Sequence, residues 1–288
     1  MSEASGDVRI RLDLAYDGTD FNGWAKQPGL RTVQGVLEDA LGVLLRKAGA
    51  PPLLVVAGRT DAGVHARAQV AHLDLSAAHR EALYAVRGAL SDDPGAALAY
   101  RLNGILGADS DIVVHRGSVA PAGFDARFSA VWRHYEYRIS DAPENRDPVQ
   151  RRRTAWLSAV LDDTAMSEAS GALLGLHDFA AYCKPREGAT TIRTLQRFEW
   201  RRDGEGTLTA AVQADAFCHS MVRSLVGGAV AVGEGRLEPA RLAAILAGGE
   251  RTSAFAVMPA HGLSLVEIAY PADDALAARA EQTRARRG

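Results

Sequence analysis

The 288 residues predict an α+β protein built from two ferredoxin-like, split βαβ halves. The expected arrangement is one continuous, mostly antiparallel sheet with helices on one face and a cleft across its middle. Three observations carry this. Val8, Ile10, Leu12, Leu14 and Tyr16 alternate with Arg9, Arg11, Asp13 and Ala15, the period of a strand with one buried face. The elements that follow run helix, strand, strand, helix, strand. After residue 154 the same theme returns without obvious sequence identity, so residues 8–140 and 154–271 are expected as halves, with 272–288 as a charged tail.

Taken in order, the first strand runs into the glycine-rich loop Asp17 to Trp24. Thr32 can cap a helix in which Val36, Leu37, Ala40, Leu41, Leu44 and Leu45 recur at helical spacing, ending near Gly49 before Pro51 and Pro52. Leu53 to Val56 has strand composition, and Gln69 to Asp74 reads as the next strand. A helix is expected over about Ala78 to Leu90, broken by Ser91 to Gly95, then another over Leu98 to Leu106 and a strand over Ile112 to Arg116. Val131 to Ile139 again has period two, which puts Arg133, Tyr135, Tyr137 and Ile139 on one face. Asp141 to Arg153 is polar and reads as the connection between halves. Beyond it come a helix over Asp162 to Leu174, strands over Thr191 to Arg202 and Thr207 to Asp215, helices over Ser220 to Val232 and Glu238 to Ala247, and a strand over Leu263 to Tyr270. The tail from Ala272 is either helical or disordered.

The chain has 33 basic and 35 acidic residues, so any surface for a polyanion must come from uneven placement, as in Arg151 to Arg153 or Arg193, Arg197, Arg201 and Arg202. Its longest apolar run, Ser224 to Gly233, is too short to span a bilayer, and Met1 to Asp7 carries no secretory signal, which makes the cytoplasm the default location. Cys183 and Cys218 lack CxxC spacing and cannot form a zinc site unaided; two reduced thiols are expected.

The chemistry is concentrated in Ala57-Gly58-Arg59-Thr60-Asp61-Ala62-Gly63-Val64-His65-Ala66. Glycines after an apolar run mark a tight loop where a strand ends, and a loop carboxylate on a rigid strand end is suited to catalysis. Arg59 stands within reach of Asp61, and a nearby guanidinium favours the ionised carboxylate that a nucleophile requires. By spacing alone, a solvated ion pair or an Asx-turn accounts for the same residues. His65 reads as a turn-stabilising hydrogen bonder, and His72 as a strand residue facing solvent or a neighbour.

The string Gly58 to His65 resembles the signature loop of the bacterial tRNA pseudouridine synthase A family. Asp17 to Trp24 is similar to another loop of that family, although Ala25 stands where the family usually has glutamine. By pattern alone, Phe21 and Trp24 either fold back onto the core or form a finger stacking on RNA bases. Val131 to Ile139 resembles the family segment whose first tyrosine lies against the target uracil, here Tyr135; pattern alone reads it as a half-buried strand face. Ala214 to Arg223 resembles the motif whose arginine pairs with the catalytic carboxylate, here Arg223, against the alternative of a surface arginine on a first helical turn. Lys184 to Arg186 and Thr191 to Thr194 resemble basic loops that flank the bound RNA.

What the resemblance implies is an isomerase, formally an intramolecular transferase. It would convert uridine to pseudouridine on the 3′ side of the anticodon stem-loop of tRNA, at positions 38 to 40. Asp61 would be the catalytic nucleophile, helped by Arg59 and Arg223, with Tyr135 binding the substrate; no metal or organic cofactor is implied, and a homodimer is. Whether Asp61 attacks sugar or base, or removes a sugar proton, stays open. The rival reading is a non-catalytic RNA-binding protein with two ferredoxin-like halves; a hydrolase lacks a second carboxylate or histidine partner close to Asp61 in sequence.

Overall fold

A computed structural model describes residues 6–85, 91–186, 188 and 190–285. The described residues fall into two compact units: those up to Val131 together with 268–285, and Trp132–Glu267. The α+β class and the largely antiparallel pairing are those expected from the sequence.

The first unit opens with strand β1 (Val8–Tyr16), in which Ile10, Leu12, Leu14 and Tyr16 are buried and the residues between them half-buried, as alternation demands. Helix α1 (Val33–Leu44) starts where Thr32 Oγ1 accepts the amide of Gly35, satisfying one of the free first-turn donors. It buries Leu37 and Leu41 completely. Strand β2 is only Val55–Val56. Strand β3 runs His65–Leu75 and so begins four residues before the expected Gln69, because Tyr16 already pairs with Ala66 across the ladder. Helix α2 covers Ala77–Tyr84; residues 86–90 of the helix expected there lie outside the described residues.

Helix α3 (Pro94–Leu106) corrects another expectation. Asp93 and Pro94, read as a break, are its start: Asp93 Oδ1 accepts the amides of Gly95 and Ala96, and proline at a first helical position forfeits an N–H that has no partner anyway. Strand β4 (Ile112–Val119) completes the order β4-β1-β3-β2, in which every neighbouring pair is antiparallel. That is the order of a split βαβ unit.

In the second unit, strand β5 (Trp132–Ser140) buries Arg133, Tyr135, Tyr137 and Ile139, the face expected from the pattern. Short strands β6 (Ala155–Trp156) and β7 (Gly175–Asp178), not foreseen, lie either side of helix α4 (Asp163–Gly171). Strands β8 (Ile192–Arg202) and β9 (Leu208–Ala214), helices α5 (Met221–Gly233) and α6 (Ala240–Gly248), and strand β10 (Leu263–Ala269) follow the predicted positions closely. The strand order β10-β5-β9-β8 repeats that of the first unit, with β7 added at the edge.

The described part of the tail is largely helical. Helix α7 (Leu276–Ala285) buries Leu276, Ala280 and Thr283 against the first unit. There the Leu276 carbonyl accepts from Ser129 Oγ, and Arg284 pairs with Asp125 at 2.8 Å. The segment it rests on lies over the second face of β1 and β3: Phe124 O accepts from Arg9, and the Ala126 amide donates to His72 Nδ1 at 3.0 Å.

The two cysteines are not free thiols. Cys183 and Cys218 form a disulfide with their Cα atoms 5.8 Å apart. The amide of Lys184 donates to His219 O at 2.9 Å, which lays the two segments side by side and brings the sulfurs together. A pairing 35 residues apart in sequence leaves no local signature.

Candidate active site

The loop carrying Arg59 and Asp61 connects β2 to β3 and is held by backbone bonds on both sides of Asp61. Thr60 O accepts the amide of Trp24 at 3.0 Å, Asp61 O that of Val64 at 3.2 Å, and the Gly63 amide donates to Phe21 O at 3.1 Å. The partner loop, Asp17 to Trp24, approaches so closely that side chains are excluded. A Cβ at Gly18 would sit 2.0 Å from Val64 O, and Gly23, at φ +87°, would meet Thr60 O at 2.8 Å. His65 accepts the Gly18 amide through Nδ1 at 2.9 Å, the turn-stabilising part expected of it.

Phe21 and Trp24 are 3% and 1% exposed, so they pack inward and do not form an RNA-stacking finger. The Arg31 guanidinium lies 4.1 Å over the Phe21 ring, and Trp24 stands 6.0 Å from Tyr16. Behind the loop lie three buried polar side chains. Tyr16 Oη and Thr60 Oγ1 are 2.8 Å apart, and Gln69 Nε2 donates both to Tyr16 Oη at 3.1 Å and to Gly58 O at 2.9 Å. With this scaffold in place, Thr60 is buried, Asp61 is partly accessible and Arg59 is exposed.

Tyr135 and Arg223 belong to the second unit. Tyr135, 7% exposed, meets the Phe217 ring edge-on at 5.2 Å. Arg223, in the first turn of α5, is not a loose surface arginine: its Nε donates to Met258 O at 2.6 Å, and its own carbonyl accepts the Met258 amide at 3.2 Å. The next residue, Pro259, accepts from Tyr137 Oη at 2.8 Å. Burial pushes the Tyr137 phenol well above its usual range.

The strand-to-helix segment is shaped by Asp215, whose Oδ1 accepts the amides of Thr194 and Ala216, while Arg133 donates to its carbonyl at 2.8 Å. Ser220 is in the left-handed region at φ 63°, alone in this among the described non-glycine residues. The neighbouring disulfide and the Lys184–His219 bond hold the chain immediately before that turn. Arg193, read as part of an RNA-flanking loop, folds onto its own backbone, donating to Ile192 O and Thr190 O.

Sequence reasoning missed Tyr16, Gln69, Phe217 and the Met258–Pro259 anchor. Phe217 lay inside a recognised motif and could have been singled out; the others carry no local signal.

A model of tRNA pseudouridine synthases matches residues 169–271, which hold β8, β9, α5 and Arg223. That match and the loop around Asp61 define the class as a pseudouridine synthase. The chain is 59% identical over 281 residues to a tRNA pseudouridine synthase A from Leifsonia xyli subsp. xyli, covering 96% of both. It is 54% identical over 280 residues to one from Streptomyces griseus subsp. griseus, covering 97% of this chain and 94% of the relative. With the Mycobacterium leprae protein of the same name, identity is 49% over 281 residues, covering 97% and 96%. The chain belongs to the tRNA pseudouridine synthase A family. Among its described residues no helix is long and apolar enough to cross a membrane.

Proposed function

We propose that this protein isomerises uridine to pseudouridine in tRNA, with Asp61 as the reacting carboxylate. The observation that carries this is the Asp61 loop: a partly accessible carboxylate on a backbone pinned by Trp24, Phe21 and Val64, in a chain 59% identical to a tRNA pseudouridine synthase A over nearly its whole length. The target uridines are those on the 3′ side of the anticodon stem-loop, the working assembly is a homodimer in which one tRNA touches both subunits, and the location is the cytoplasm.

The chemistry is redox-neutral and self-contained. The N1–C1′ bond of the uridine breaks, the uracil turns in place, a C5–C1′ bond forms, and C5 loses a proton while N1 gains one. A stacked uridine must first leave its helix, at a cost of a few kcal/mol in unstacking. Arg59, exposed beside Asp61, holds or displaces the flipped base and its backbone. Arg223 and Tyr135 take the parts the family motifs give them: the arginine orients the reacting carboxylate, and the tyrosine stacks on the uracil and helps to move the C5 proton. Asp61 supplies the oxygen that attacks sugar or base, or takes a sugar proton.

Asp61→Asn preserves shape and removes the anionic oxygen. It is expected to bind unmodified tRNA about as well as the parent and to form no pseudouridine, as mapped by chemical labelling and primer extension. Normal product from that variant overturns the reading and favours the RNA-binding alternative, which needs no such carboxylate.

A further inference from the structure

We infer that Tyr16 and Gln69 are positioning residues for this reaction, setting through Thr60 and Gly58 the place of the loop that presents Asp61. The inference rests on the reading of Asp61 given above. Both residues are strand residues outside the Gly58 to His65 loop: Tyr16 ends β1 and Gln69 lies within β3.

Gln69 is 0% exposed, Tyr16 5% and Thr60 7%, so each polar group must be satisfied within the protein. A primary amide has two hydrogens to place. Gln69 gives one to Tyr16 Oη and the other to Gly58 O. Tyr16 Oη accepts from Gln69 and shares a hydrogen bond with Thr60 Oγ1, 2.8 Å away, to which it can give its own proton. Burial pushes the Tyr16 phenol up to about 12, so the hydroxyl keeps that proton throughout the neutral range. The chain of bonds therefore ends on the two residues that flank Arg59, and Thr60 is covalently joined to Asp61. The Thr60 carbonyl is meanwhile held by the Trp24 amide, so side chain and backbone of the same residue are both fixed.

An apolar core of equal volume would stabilise this region without directional bonds. Directional bonds select one loop conformation, which is what a reacting carboxylate needs: a displacement of about 1 Å can cost on the order of a hundredfold in rate. Tyr16 and Gln69 touch no substrate in this scheme and act only through the loop.

The test is steady-state kinetics on unmodified tRNA, with tRNA binding and thermal unfolding measured on the same preparations. Tyr16→Phe keeps the ring beside Trp24 and deletes the hydroxyl; Gln69→Leu keeps the volume and deletes both donors. Each is expected to lower kcat by about tenfold to a hundredfold while KM for tRNA stays within about threefold, on protein that is folded at the assay temperature. Thr60→Val should reproduce that loss and Thr60→Ser, which retains the hydroxyl, should recover most of it. If Asp61→Asn is inactive but Tyr16→Phe and Gln69→Leu keep the parental kcat, the positioning role is wrong. A loss that tracks the unfolded fraction and disappears on cooling also overturns it, since a purely structural role would do that. Activity in Asp61→Asn would instead sink the underlying assignment.

Discussion

His72 is 3% exposed on β3, with its Nδ1 taken by the Ala126 amide and the Phe124 ring edge-on at 6.2 Å. Burial, and next the Arg9 guanidinium, push its imidazole down to about 4; Asp125 and Asp74 oppose the shift and Arg284 adds to it. The unfolded histidine takes a proton near 6.5 and the folded one resists until about 4, so its effect on stability is absent above 6.5 and becomes a penalty as pH falls through that window. We expect denaturant unfolding to lose on the order of 3 kcal/mol between those limits from this residue. His72→Gln should flatten that part of the profile; an unchanged slope would rule the residue out as its source. The sequence put His72 on a strand and left open whether solvent or a neighbour faced it. Its neighbour, Ala126, is 54 positions away, beyond any local pattern.

At the scale of elements, the second unit contains a buried carboxylate whose partner comes from a distant strand. Asp141, 1% exposed at the end of β5, pairs with Arg202 of β8 at 2.7 Å and also accepts the Leu161 amide. Burial alone would raise the Asp141 carboxyl, yet the Arg202 hydrogen bonds hold it below the usual range. Arg202→Met is expected to destabilise the protein by about 3–5 kcal/mol, because it leaves a charge buried without its partner. Arg202→Met with Asp141→Leu should recover much of that loss, and a double-mutant cycle in denaturant checks it. Element types and most boundaries were legible because alternation and helical spacing are local. The exceptions are instructive. Pro94 looked like a break because a helix start and a turn use the same residues, and β3 began early because its first residues are set by pairing with Tyr16 rather than by their own pattern. Helix α7 could not be distinguished from a disordered tail until its docking on Ser129 and Asp125 was known.

For the molecule as a whole, the Cys183–Cys218 bridge closes a loop with a sequence separation of 35 residues. Loop entropy makes such a bridge worth about 3–4 kcal/mol against the unfolded chain. Non-reduced protein should show no thiol reactive toward Ellman's reagent under denaturing conditions, and two after reduction. Reduction, or Cys183→Ser, should lower unfolding free energy by about that amount; two titratable thiols before reduction would refute the pairing. This constraint falls on the segment that leads into Arg223, so the bridge bears on the candidate site as well as on stability.

By itself the sequence determined the alternation of buried and exposed faces, the repeat of one strand order in two units, and a contiguous loop motif specific enough to name a family. Only the tertiary structure decided that Cys183 meets Cys218, that Phe21 and Trp24 turn inward, that Arg223 is anchored on Met258, and that Tyr16 and Gln69 stand behind Thr60. The division has one physical cause. Periodicity records what a residue's immediate neighbours require, whereas these contacts join positions far apart in the chain and come into being only when separate elements pack together.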